Sequence, residues 1–263
     1  MTSSDPPATA ETTTPNPNVL ICDNAEAASL RAAKLFAASL HSWPDLKIGL
    51  ATGGTPVEMY AQLVRFYEQD LISFAEAKTF NLDEYVGLAA DHPQSYRSFM
   101  EQQLFSHVNL DPRNAFLPNG MATDVDAEIS RYEQLITDSG GIDLQLLGIG
   151  HNGHIAFNEP GSAPDSRTRL VDLTERTIAS NARFFDSIDD VPKQAITMGI
   201  GTILEAKAIV LLALGSDKAD AVRLAIEGEV SASHPASFLQ THANVTYVLD
   251  EAAAKGLSSA LKQ

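Results

Sequence analysis

Apolar residues along the chain fall into short buried-type runs separated by stretches with helical spacing. Residues 19–22, Val-Leu-Ile-Cys, are long enough for one strand and too short for a helix. A helix is expected over 24–40, opened by the polar cap Asn24. Residues 47–51 read as the second strand, and Pro56 stands at the first position of a helix to about Phe66, where its missing N–H costs nothing. The pattern continues with a strand over 77–82, a helix over 95–105, a short strand over 115–117, a helix over 127–137 and a strand at Leu144-Gln145-Leu146-Leu147. Further on come a helix over 192–204, a strongly apolar strand over 208–214, a helix over 218–226, a strand over 245–249 and a helix over 251–261. Residues 168–192 follow no single period and mix polar with aromatic side chains, as expected of a partly mobile cover over a site. No internal repeat is visible. Strands alternating with helices predict an α/β fold: a single-domain, doubly wound, mostly parallel sheet with helices on both faces, Rossmann-like.

Composition narrows this picture in a few places. Residues 1–18 are Thr, Pro, Ser and Ala with scattered acids, so a disordered tail is expected there and one domain over 19–263. A net charge of -16 argues against general affinity for nucleic acid or anionic membranes. It leaves room for a small phosphorylated ligand held by a few local cations and backbone N–H groups. Cys22 is the only cysteine, which excludes an intrachain disulfide and a thiol metal cluster. Apolar runs stop short of membrane-spanning length, and the N-terminus lacks the basic and apolar regions of a signal peptide, so the cytoplasm is the expected location.

Candidate chemistry gathers where four predicted strands end, which is where open α/β sheets keep their ligands. The strand at Lys47 runs into Thr52-Gly53-Gly54-Thr55-Pro56, a tight turn before a helix and a ready anion site, although an ordinary strand-to-helix turn fits equally well. The strand at Ala77 ends in Asp83-Glu84; such acids are usually a solvated turn, but a shielded Asp83 could serve as a proton-abstracting base, with Glu84 pointing the opposite way. Behind the strand at Leu144 come Gly148, Gly150, His151, Asn152, His154, Asn158 and Glu159. His154 is the natural proton shuttle near neutral pH, and Glu159 could fix its tautomer. After the strand at Ala208, Lys218 sits in the first turn of a helix, unfavourable for the helix dipole unless an anion is bound nearby. A metal site on His151, His154 and Glu159 is the competing account, but the spacing matches no zinc signature.

Taken together, these segments resemble glucosamine-6-phosphate deaminases of the isomerising kind. The matching stretches are ATGGTPVEMY at Ala51, FNLDEYVGL at Phe80, HPQSYRSFM at His92, GIGHNGHIAFNEPGS at Gly148, SRTRL at Ser166, NARFFD at Asn181, VPKQAITMGIGTIL at Val191 and LGSDKA at Leu214. The related 6-phosphogluconolactonases share the fold and the glycine loop but lack LDEYVGL and NGHIAFNEP. The resemblance implies conversion of glucosamine 6-phosphate and water to fructose 6-phosphate and ammonia, with no metal or organic cofactor. It implies that Asp83 moves a proton from C2 to C1 of the open sugar. His154 would catalyse ring opening with Glu159 orienting it, and Thr52, Gly53, Gly54, Thr55, Arg183 and Lys218 would hold the phosphate.

Two departures from the family pattern bear on mechanism. Asn152 stands where some members have an aspartate in a relay to the histidine, so His154 is expected to lean on Glu159 alone. Hexameric members bind N-acetylglucosamine 6-phosphate at a subunit interface through serines, an arginine and a lysine. Ser162 and Arg169 match, but Ala163 and Val171 replace a serine and the lysine, and the C-terminal extension of that site is missing beyond Gln263. A non-allosteric enzyme is therefore expected, with oligomeric state left open. The alternatives are a 6-phosphogluconolactonase-like hydrolase, or a non-catalytic sugar-phosphate-binding domain of a regulator, which should carry a basic helix-turn-helix segment that this N-terminus lacks.

Overall fold

Ten strands and seven α-helices follow one another in a computed structural model that describes residues 17–182, 185 and 187–261. They are β1 (Asn18–Cys22), α1 (Ala25–Ser42), β2 (Lys47–Leu50), α2 (Val57–Glu68), β3 (Lys78–Asn81), β4 (Asp83–Tyr85), α3 (Tyr96–Gln103), β5 (Ala115–Phe116) and α4 (Val125–Asp138). Then come β6 (Leu144–Leu147), β7 (Arg169–Asp172), α5 (Glu175–Asn181), β8 (Gln194–Thr197), α6 (Ile200–Leu204), β9 (Ala208–Ala213), α7 (Ala219–Glu227) and β10 (Val245–Asp250). Of the tail expected over 1–18, all but Pro17 and Asn18 lies outside the described residues, and Asn18 already opens β1.

The main sheet has seven strands, all parallel, in the order β1-β10-β9-β6-β2-β3-β5. On β6 all four residues are buried, and because neighbouring side chains on a strand point to opposite faces, both faces of the sheet are covered there. This is the doubly wound α/β arrangement expected from the alternation of elements. From β2 the chain steps outward through β3 to β5, then returns to place β6 on the other side of β2. The switch point of the winding therefore lies between β2 and β6. Helix starts are set locally by polar caps: Asn24, Ser95, Asp124 and Thr174 each accept a hydrogen bond from the backbone N–H three residues on.

A second, three-stranded antiparallel sheet, β4-β8-β7, sits beside the first and was not expected. Residues 192–204 are not one helix: 194–197 form β8, and only Ile200–Leu204 is helical. The apolar spacing there resembles a helix, but β8 is paired on both edges, by β4 and β7, and Gly199 and Gly201 weaken helix formation. Strand β7 occupies part of the stretch assigned to a cover. Residues 251–261 likewise form two short 3-10 turns, Ala253–Gly256 and Ser259–Leu261, instead of a last helix. Asp250 accepts from the N–H of Ala253 and tightens the first turn, and Gly256 interrupts any continuation.

The small sheet encloses its own apolar cluster, in which Tyr85 meets Tyr96 and Phe157 with ring centroids 4.6 and 5.9 Å apart. The backbone of β4 is hemmed in from outside by Gly120, where an added Cβ would stand 1.9 Å from the carbonyl oxygen of Tyr85. Backbone cannot swing aside as a side-chain tip can. Gly120→Ala is therefore expected to cost about 1–3 kcal/mol, read by urea denaturation, and to lower catalytic activity by displacing β4.

Candidate active site

The strands whose ends carry the candidate residues, β3, β2, β6 and β9, are consecutive neighbours in the sheet. Their parallel register brings the four loops to one edge, around a cavity of about 320 Å³. Thr52, Gly53, Gly54, Thr55, Asp83, Asn152, His154, Glu159 and Lys218 all line it. Arg183 lies outside the described residues. The volume is at the small end of the range for ligand sites and suits a single sugar phosphate.

On one wall, the turn after β2 passes through Gly53 at φ 97°, a left-handed conformation that glycine adopts without steric cost. Across from it, the loop after β9 is held by Asp250, whose carboxylate accepts from the N–H of Gly215 at 3.0 Å. This sets Lys218 at the start of α7, half-buried, with Asp217 4.0 Å away. Burial pulls the Lys218 ammonium below its ordinary range, opposed by Asp217 and reinforced by Arg176. Arg176 itself lines the cavity from α5, as do Thr174 and Thr177. In a chain with 18 basic and 34 acidic residues, two cations facing one crevice mark a place for an anion. Sequence reasoning missed Arg176 because nothing in the aperiodic stretch around it singles it out.

The loop after β6 is built by its own asparagines. Asn158 is fully buried; its amide donates to the carbonyls of Ile155 and Met198, and its oxygen accepts from Arg169 at 2.7 Å. The loop is thereby tied to the small sheet. Ala156 takes φ 51°, an uncommon conformation for a residue with a Cβ and a local strain at the cavity wall. His151 also lines the cavity, half-exposed, with Nε2 2.8 Å from Asp217. Among the described residues no group of three or more His, Cys, Asp or Glu is placed to hold a metal ion.

His154 does not lean on Glu159 alone. Its Nδ1 lies 2.7 Å from the side-chain oxygen of Asn152 and 3.5 Å from Glu159, and the Asn152 amide donates to Glu159 at 2.6 Å. A carboxylate demands a donor, so Glu159 fixes which way the Asn152 amide points. Asn152 then presents its oxygen to Nδ1, which must carry the proton, leaving Nε2 with a free lone pair. The uncharged asparagine thus keeps the relay intact. Hydrogen bonds from His154, Asn152 and Thr177 hold the Glu159 carboxyl down at about 2 against the effect of burial, so it is ionised throughout the neutral range.

Asp83 opens β4 and is 6% exposed. Burial, and then the charge of Glu84, push its carboxyl up to about 8. Both protonation states are accessible near neutral pH, as a group that takes a proton and returns it requires. Glu84 does point the other way. It is buried and accepts from the N–H groups of Tyr85, Tyr96 and Arg97.

A crevice of this kind at the switch point of a doubly wound sheet defines an α/β enzyme of small-molecule metabolism. The family described as glucosamine-6-phosphate isomerases/6-phosphogluconolactonase matches residues 23–248, and the chain belongs to it. It is 56% identical over 229 residues to the glucosamine-6-phosphate deaminase of Rhodopirellula baltica, covering 87% of this chain and 91% of that one. The Clostridium perfringens (strain 13) glucosamine-6-phosphate deaminase is 51% identical over 237 residues, covering 90% and 98%. Among solved structures, a monomeric glucosamine-6-phosphate deaminase superposes with a TM-score of 0.88 at 49% identity, covering 91% of this chain and 99% of that one. The 6-phosphogluconolactonase of Trypanosoma cruzi, at 21% identity and a TM-score of 0.75 over 92% and 97%, shares the fold.

Between its ordinary 3.8 and about 8, Asp83 in the folded protein holds a proton that the unfolded chain has lost. Its contribution to stability therefore declines as pH rises through that window. Asp83→Asn should be more stable than the parent, by a margin that grows by a few kcal/mol between pH 4 and pH 8 in urea unfolding. A constant margin would mean that Asp83 ionises freely.

Proposed function

We propose that this chain converts glucosamine 6-phosphate and water to fructose 6-phosphate and ammonia. The observation that carries this is the placement of a buried Asp83 and the free nitrogen of a relayed His154 in one crevice, beside a glycine turn and Lys218. Half-identical relatives named glucosamine-6-phosphate deaminase support it.

Backbone N–H groups of the turn over 52–55, the hydroxyls of Thr52 and Thr55, Lys218 and Arg183 bind the phosphoryl group. A dianion anchored there spends its binding energy on orienting the far end of the sugar. His154 then exchanges a proton with the ring oxygen through Nε2 and opens the ring. Asp83 removes the proton at C2 and delivers it to C1, while one proton passes from the amino nitrogen to the C1 oxygen. The imine left at C2 takes up water and releases ammonia. Each step is a proton transfer or hydration that side chains can carry out, so the reaction calls for no cofactor. Residues from 19 onward act as one unit, in the cytoplasm, where membranes retain charged sugar phosphates.

The enzyme is read as non-allosteric. The Arg169 guanidinium is committed to Asn158 at 2.7 Å and Ser162 at 3.1 Å, and Val171 offers no charge to a second phosphate.

Ammonia release from glucosamine 6-phosphate is the test, with hyperbolic kinetics unchanged by N-acetylglucosamine 6-phosphate. Asp83→Asn should lower kcat by about 10²–10⁴-fold while phosphosugar binding persists. Lys218→Ala should raise KM about tenfold or more. Hydrolysis of 6-phosphogluconolactone without ammonia release would replace the deaminase reading with the lactonase one.

A further inference from the structure

Glu84 stands next to Asp83 on β4 but faces the opposite way, with 3% exposure. Its two oxygens accept three backbone N–H bonds of 2.9 Å, from Tyr85, Tyr96 and Arg97. The last two are the opening residues of α3, so the carboxylate sits on the positive end of that helix. Tyr96 also lines the active-site cavity beside Asp83, and its hydroxyl lies 3.1 Å from that of Tyr85. One side chain thus joins the strand that carries Asp83 to the helix that supplies the neighbouring wall.

We propose that Glu84 is a positioning residue for Asp83, a carboxylate locked on the first turn of α3 that fixes β4 and places a negative charge behind the reacting acid. This rests on the deaminase reading for its catalytic meaning, though not for its physical content. Burial raises the Glu84 carboxyl above its ordinary range, and the three N–H donors and the nearby Arg97 guanidinium work against that rise by favouring the ionised form. That charge is the second cause, after burial, of the raised Asp83 carboxyl. The other groups facing Asp83 supply no comparable charge: Tyr96 from α3 and Tyr132 from α4 are held neutral by burial, and its partner on β8 is Thr197. Across the cavity stand His151, His154, Glu159, Arg176 and Lys218. A carboxylate with a stronger affinity for protons is a better base for a carbon acid, provided it stays correctly aimed.

Glu84→Gln keeps one accepting oxygen for α3 and removes the charge. The acid limb of kcat/KM against pH should move to lower pH by roughly half to one unit, and plateau kcat should drop about three- to tenfold. KM should change little, because the phosphate is held elsewhere. A merely structural role would lower activity without moving the limb, and that result overturns the proposal. Carbon-13 NMR of the Asp83 carboxyl, assigned through Asp83→Asn, reads the same coupling without turnover. In the unmutated protein the signal should titrate well above the ordinary carboxylate range, and closer to it in Glu84→Gln. A single ordinary titration overturns the proposal even if Glu84→Gln does not fold. Absence of ammonia release from the parent protein would instead remove the deaminase reading and leave the NMR result to stand by itself.

Discussion

Parallel pairing of four strands is the constraint on which the rest of the molecule depends. Because β3, β2, β6 and β9 run the same way and lie side by side, everything that follows them in sequence must emerge at one edge of the sheet. Residues as far apart in sequence as Thr52 and Lys218 line one crevice there. The winding reverses between β2 and β6, which opens the crevice between the glycine turn and the histidine loop. Covered faces make the register hard to shift: a slip of one residue would turn every side chain of β6 onto the wrong layer.

Onto this rigid platform the chain loads groups that work against its own stability. Asp83 is deprived of water and given a like charge for a neighbour. Lys218 is half-buried beside another cation, and Ala156 takes a conformation that its Cβ disfavours. Asp217, 4.0 Å from Lys218, offsets only part of this. They persist because the surrounding backbone is over-determined, by Asn158 on one side and by Gly120 packed against β4 on the other. Such a concentration of unfavourable choices at one edge is what distinguishes a site from a scaffold.

Much of this could be seen in the sequence, for physical reasons that differ by element. The central strands were legible because strands covered on both faces are nearly continuous apolar runs, as at Leu144–Leu147, broken only by Gln145, and Ile209–Ala213. Their shared polarity then pointed to the edge where Asp83, His154 and Lys218 meet. Hidden from it was the small sheet: β8 is a strand because β4 and β7 claim both of its edges, and four residues are too few for any period to speak. Asn152 was read as a loss because an amide cannot carry charge. Only coordinates reveal that Glu159 turns that amide so its oxygen meets the imidazole. Arg176 could not be found either, since its significance lies in which wall it reaches.

One contact links the rim of the crevice to its chemistry. Thr177, on the short helix α5, donates its hydroxyl to Glu159 at 3.2 Å, the same carboxylate that orients Asn152 and His154. Glu159 therefore shares its electron density among donors from two elements. Were α5 to draw back, the carboxylate would be freer to pull on the amide and, through it, on the imidazole. The orientation of the imidazole is tied in this way to the seating of α5, so that the rim of the crevice and the aim of its histidine are held by one small clutch.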